Sequence, residues 1–191
     1  VDKENFFTFF NLESRSGKRV ETHSFKNLKV LSKNLDEKEG SFFIGQPFID
    51  KNMIEREEYI GFILQSLEIV GNEKIYYIPH RVESKLELDN ISKISDRIKV
   101  VETNECIELF FIKSGFNPLK VFTCCSTSIY SLSLLYPACS FFSFTSADKR
   151  ILNLPHWPNI NELISSIDKI EVVNNIFCDN LTPISKKKKV I

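Results

Sequence analysis

The stretch IYYIPHRVES, Ile75 to Ser84, decides how the rest of the chain is read. Its first residues are almost continuously apolar, rich in Ile and Tyr, and stop at Pro79. A run of that kind predicts a strand covered on both faces, which is the habit of parallel sheets between layers of helices. His80 and Arg81 then stand just past the strand's carboxyl end, the edge at which open α/β sheets bind ligands. On spacing alone, a capping or surface histidine in a βα loop is the favoured reading.

Outward from this strand, the pattern repeats. SFFIG (Ser41–Gly45) is a second short buried strand, LKVFTCC (Leu119–Cys125) a third and ACSFFSF (Ala138–Phe144) a fourth, with a brief one at Ile98–Val101. Between them the apolar positions Tyr59, Ile60, Ile63, Leu64 and Leu67 fall at helical spacing, with Glu55, Glu57 and Glu58 in the first turn, where carboxylates suit the helix dipole. A polar segment, Glu83–Asp96, has room for a short helix. ECIELFFIKS (Glu105–Ser114) predicts a helix that Gly115 caps, STSIYSLSLLY a helix after Ser126, and Asn159–Ile170 a late helix with Asn159 as its N-cap. NFFTFF near the start is β-prone, and the polar stretch from there to Gly40 reads as linker. Strand and helix alternate, so the expected fold is α/β, a Rossmann-like and mainly parallel sheet.

Composition narrows the function classes. With 191 residues and 42% hydrophobic content the chain can build a substantial core. Lys+Arg and Asp+Glu both number 25, so the charge balance does not select nucleic acid as a partner, and any anion site is local. Cys106, Cys124, Cys125, Cys139 and Cys178 are odd in number and lack CxxC spacing, which favours reduced, buried thiols and a cytoplasmic setting over a disulfide framework. No apolar run approaches the roughly 20 residues that span a bilayer; Pro137 and several serines break the longest, Ser126–Phe144. The closing KKKK, Lys186–Lys189, reads as a solvated tail, with peripheral attachment to the inner face of the cytoplasmic membrane as its alternative. Phe, used 17 times, reads as a compositional bias.

Two βα junctions carry the chemistry. One delivers His80 and Arg81; the other delivers Ser126, Thr127 and Ser128 to a helix start, where unpaired amides and hydroxyls form a cradle for phosphate or carboxylate. Taken singly, Ser126 reads as a helix cap. Taken together, on one edge of one parallel sheet, the two loops place a cation and an amide nest across a shared crevice. No Walker loop, GxGxxG, GxSxG or zinc spacing occurs. His23 and His156 have no partners at useful spacing and read as surface or structural residues, and HWPN with Trp157 reads as a packed loop.

The order FFTFFNL, FFIGQPF, a helix with EEYI, IYYIPHRVES, IELFFIKSG and VFTCCSTSIYSL resembles the carboxyl-terminal half of bacterial sialyltransferases, specifically the lipooligosaccharide enzymes of glycosyltransferase family 52 and the α-2,8-polysialyltransferase group. The resemblance runs from about Phe6 to Phe144. It implies the GT-B fold, of which this chain is the nucleotide-binding half, with residues 1–40 an amino-terminal strand and linker, 41–180 the donor-nucleotide domain and 181–191 a basic tail. It implies CMP-sialic acid as donor, a cell-surface glycan as acceptor, inversion without a metal or other cofactor, and no nucleic-acid partner. The family's His-Pro and Ser-Ser/Thr motifs map onto His80 and onto Ser126 with Thr127, making His80 the group that assists departure of CMP.

Two departures from the family pattern stand out. Arg81 replaces the Pro of the first motif and can itself bind phosphate. Where some members carry an acid after Gly-x-Pro, this chain has Phe48, leaving Asp50 as a weak candidate for general base, while the family's main acidic motif belongs to an amino-terminal domain. Because the chain opens on Val1 with a strand close behind, it reads as processed or as a fragment, and one expected to be inactive alone. A non-catalytic nucleotide-binding or structural remnant, and a GT-B enzyme using another nucleotide sugar, are the rival readings.

Overall fold

The computed structural model describes residues 6–8, 20–22, 25, 27, 28, 30, 38–155 and 157–174. Its main body is a six-stranded, wholly parallel sheet built from β3 (Lys38–Ile44), β4 (Ile75–Ile78), β5 (Ile98–Val100), β6 (Phe116–Cys124), β7 (Ser140–Thr145) and β8 (Ile170–Asn174). The spatial order is β5-β4-β3-β6-β7-β8. The chain thus works outward from β3 to β5, returns to the centre, and works outward again from β6 to β8. Its direction reverses between β3 and β6, and there the loops that leave the two strands part to opposite sides. Two further strands, β1 (Phe6–Thr8) and β2 (Val20–Thr22), form a separate parallel pair.

Alternation along each strand explains why the sheet is covered twice. Phe43, Ile75, Tyr77, Phe122 and Phe144 face one layer, where they meet Phe62, Ile63 and Leu67 of α1 (Arg56–Val70) and Leu88 and Ile91 of α2 (Lys85–Ser92). Their neighbours Phe42, Ile44, Ile78, Val121 and Phe141 face the other, against Phe110 and Phe111 of α3 (Ile107–Ser114) and Ile129, Leu132 and Leu135 of α4 (Ser128–Leu135). The phenylalanines therefore do structural work: Phe43 stacks on Tyr77 with ring centroids 5.5 Å apart, and Phe62 on Phe144 at 5.1 Å. Gly115 ends α3 in the left-handed conformation (φ 72°), as its position predicts.

Several expectations are corrected. The stretch up to Gly40 is not all linker, since β2 lies in it and β3 begins at Lys38. β6 starts three residues earlier than predicted and runs through Pro118, which a central strand tolerates because Pro118 faces Gly40 where the β3–β6 register shifts. Trp157 is not in a loop: it opens α6 (Trp157–Ser165) and is buried, with Pro158 in the first turn, where its fixed φ fits and its missing N–H is not needed. Asn159 is accordingly inside that helix rather than its cap, and Ile170 starts β8 instead of ending the helix. A one-turn helix, α5 (Lys149–Leu152), is capped by Asp148 and has no periodicity long enough to announce it. Of the thiols, Cys124 and Cys139 are buried as expected, but Cys125 is half-buried and Cys106 exposed. His23, His156, Cys178 and Lys186–Lys189 lie outside the described residues. Among the described residues no helix is long and apolar enough to cross a membrane.

Candidate functional site

The carboxyl ends of β3, β4, β5 and β6 open on one cleft of about 490 Å³. Gly45 and Gln46 enter it from β3, Pro79, His80 and Arg81 from β4, Thr103 to Ile107 from the segment after β5, and Cys125 to Ser128 from β6. The structure thus brings His80, Arg81, Ser126, Thr127 and Ser128 to one cavity at the point where the strand order reverses. Asp50 does not line it: its Oδ2 accepts from the Ser84 amide at 2.8 Å, bracing the turn that leads into α2. Phe48 is buried against Tyr59, a core aromatic where the resemblance looks for an acid.

On the β6 side, Cys125 turns the chain with φ 56°, a left-handed conformation that costs a non-glycine residue about 1 kcal/mol or more. The turn brings the Ser126 and Ser128 hydroxyls within 2.7 Å of each other at the amino end of α4. Thr127 precedes that helix and spends no side-chain bond on capping it. Cys124 and Cys125 hold their sulfurs 3.3 Å apart, and burial pushes the Cys124 thiol well above its ordinary value, so it is inert as a nucleophile near neutrality.

On the β4 side, burial and then the neighbouring Arg81 guanidinium hold the His80 imidazole below its usual 6.5. The ring is therefore mainly neutral at pH 7, and since the Val82 amide donates to Nδ1 at 3.4 Å, its proton sits on Nε2. Arg81 is exposed and has no ion-pair partner among the described residues, so its charge is available to the cleft. Glu105, the carboxylate among the lining residues, is paired with Lys113.

Beneath these loops lies a group that sequence reasoning passed over. Glu83 receives the Tyr77 hydroxyl at 2.6 Å and the His80 amide, and Tyr77 in turn meets the Tyr59 hydroxyl at 3.1 Å. Desolvation pushes the Glu83 carboxyl up to about 7; the bonds from Tyr77 and His80 pull it down, and Asp50 and Glu87 push it further up. Glu83 stood inside the opening stretch, three residues past His80, but nothing in spacing says that its side chain folds back under its own loop.

The same network fixes Gly45. A Cβ there would lie 2.5 Å from both the Glu83 carboxylate and the Tyr77 hydroxyl, so the strand end and the network can meet only without one. Gly45→Ala is expected to lose about 2 kcal/mol of stability by overpacking, whereas a Cβ at Gly40 meets only ring edges at 3.1–3.3 Å, so Gly40→Ala should cost less. Paired urea titrations check the ranking, and equal midpoints for the two variants would contradict the close approach at Gly45.

The fold and cleft together define a Rossmann-like α/β protein whose polar loops meet at the switch point of its sheet. No family model matches the chain, and no curated protein matches it.

Proposed function

We propose that the cleft binds the nucleotide of a CMP-sugar and that the chain is the donor domain of a GT-B glycosyltransferase of the sialyltransferase type, moving sialic acid or a related nonulosonic acid to a cell-surface glycan. The observation that supports this reading is the convergence of His80 and Arg81 with Ser126, Thr127 and Ser128 on one cavity at the reversal of strand order. A helix amino end lined with hydroxyls suits phosphate oxygens, and Arg81 supplies a charge that burial does not silence. His80 has the chemistry for the leaving group: its Nε2–H donates to the singly charged phosphate diester, and the second negative charge that builds on the phosphate as the bond from the sugar's anomeric carbon to its oxygen breaks is stabilised by that hydrogen bond.

A second reading, nucleotide binding without transfer, is favoured by one specific feature: the described cleft offers no free carboxylate as base, since Phe48 is core, Asp50 is tied to Ser84 and Glu105 to Lys113. Calorimetric titration with CMP tests both. CMP is expected to bind, and His80→Ala and Ser126→Ala each to weaken it by about tenfold, the worth of one hydrogen bond to a charged group. If UMP or UDP binds as tightly as CMP, the donor is another nucleotide sugar; if both substitutions leave CMP affinity unchanged, the site assignment is wrong. Mass spectrometry of galactose-terminated or sialylated acceptors incubated with CMP-sialic acid and the chain separates transfer from binding alone.

A further inference from the structure

The two loops that face each other across the cleft are tied to a single buried carboxylate. From the β3 side, the Gln46 amide donates to the Tyr59 hydroxyl at 2.8 Å; Tyr59 and Tyr77 are joined at 3.1 Å; and Tyr77 donates to Glu83 Oε1 at 2.6 Å. From the β4 side, the His80 amide donates to Glu83 Oε2. Gln46 and His80 both line the cleft. We propose that Glu83 is a positioning residue for the cleft, holding the His80 loop directly and the Gln46 loop through the hydroxyls of Tyr77 and Tyr59, so that one carboxylate sets the spacing of the two walls.

The direction of these bonds is determined by their ends. An amide can only donate and an ionised carboxylate can only accept, so Tyr59 must give its proton to Tyr77, and Tyr77 its proton to Glu83. Three bonds then run head to tail from Gln46 to the carboxylate and reinforce each other, and the His80 amide meets the carboxylate's other oxygen. Protonating Glu83 breaks the pattern. A proton on Oε2 opposes the His80 N–H, donor against donor. A proton on Oε1 turns both tyrosine hydroxyls round and leaves the Tyr59 proton without an acceptor, and Tyr59 and Tyr77, 1% and 0% exposed, cannot turn to water instead. The first loses the bond to the His80 wall; the second leaves a buried hydroxyl proton unpaired in the link to the Gln46 wall.

The groups around the carboxylate are Asp50 from the loop after β3, Tyr59 from α1, Tyr77 from β4, the His80 amide from its own loop, and Glu87 from α2, itself paired with Arg56 at 2.6 Å. Asp50 and Glu87 add to burial in raising Glu83, which places its change of state near neutrality, at about 7. His80 titrates below its usual 6.5 and so gives a separate transition.

Amide NMR spectra of the full chain between about pH 5 and pH 9 test the coupling, because a chain of bonds to one acid must show that acid's titration at both ends. In the unmodified chain the Gln46 and His80 amides are expected to shift with one shared midpoint near 7. Glu83→Gln should abolish that transition at both. Tyr77→Phe should abolish it at Gln46 and keep it at His80, a split that a merely structural role would not produce. A Gln46 amide that does not titrate, a shared midpoint that survives Glu83→Gln, or a Gln46 transition that survives Tyr77→Phe would each overturn the proposal. If Glu83→Gln does not fold, the unmodified chain and Tyr77→Phe still decide.

A last measurement rests on the nucleotide reading of the cleft. At about pH 8, Glu83→Gln is expected to bind CMP about tenfold more weakly than the unmodified chain. Equal affinities would overturn the positioning role; absence of CMP binding by the unmodified chain would instead sink the nucleotide reading, and the amide titrations would then decide the role of Glu83 alone.

Discussion

Replacing Phe43 by Ala is expected to remove about 4 kcal/mol from the stability of the chain, the usual cost of truncating a buried phenylalanine that neighbours cannot collapse onto. Phe43 has no exposed surface and sits in β3, which pairs with β4 on one side and β6 on the other. Its ring stacks on Tyr77, meets Tyr59 edge-on at 6.0 Å and approaches Phe144 at 6.2 Å, so the void would be lined by rings that are themselves held by the sheet and α1. Set against a net stability of about 5–15 kcal/mol for an ordinary domain, the loss is large enough to leave a visible unfolded fraction. Urea titration followed by the fluorescence of buried Trp157 measures it. Leu86→Ala, at a position 72% exposed on α2, is the control and should stay within about 0.5 kcal/mol of the unmodified chain. A Phe43→Ala loss as small as that of the control would mean that the aromatic layer on this side of the sheet is not packed as described.

That layer also shows how far the sequence could be read. IYYI, SFFI and VFTC are short, mostly apolar on successive residues and rich in aromatic and β-branched residues, the pattern of strands covered on both faces, and they alternate with helical periods, so the parallel sheet was legible from the residues alone. The pairing of the His80 and Ser126 junctions followed from the sheet, because parallel strands deliver their loops to one edge. What stayed hidden depended on partners distant in sequence. β2 has three residues and no period of its own. HWPN read as a loop ahead of a helix capped by Asn159, since a proline in the first turn of a helix and a proline before a cap leave the same local pattern. Gly45 looked like a strand terminator, yet its reason is the approach of Glu83 and Tyr77 from another loop and strand. Asp50, which the resemblance offered as a weak candidate for general base, is spent on the Ser84 amide 34 residues away. In each case the chemistry was visible and the neighbour was not.

The cost of keeping Glu83 under the cleft should appear as a pH dependence of stability. A carboxyl that ordinarily titrates near 4.5 is pushed up to about 7 in the folded chain, chiefly by desolvation. Between those values the folded state keeps a proton that the unfolded state has released. Stability from this group is therefore fully present below 4.5, falls as pH rises through 7, and is flat above. At about 1.4 kcal/mol for each tenfold change in proton affinity, the whole fall is about 3 kcal/mol. His80 acts with the opposite sign: held below its usual 6.5, it favours the folded chain when neutral and withdraws that support as pH falls. The quantity to measure is thus the difference in unfolding free energy between the unmodified chain and Glu83→Gln, with His80 present in both, from urea titrations at several pH values. That difference should move against the unmodified chain by about 3 kcal/mol between about pH 4.5 and pH 8. A difference that does not change with pH would show that Glu83 ionises as an ordinary surface acid, and with it would go the account of a carboxylate drawn out of water to hold two loops. If the slope is found, the protein carries an anion whose burial lowers its stability above neutrality, where the two cleft walls are held by the full set of bonds. A loss of that size at a strand end is what a site under selection for geometry, rather than for stability, is expected to show.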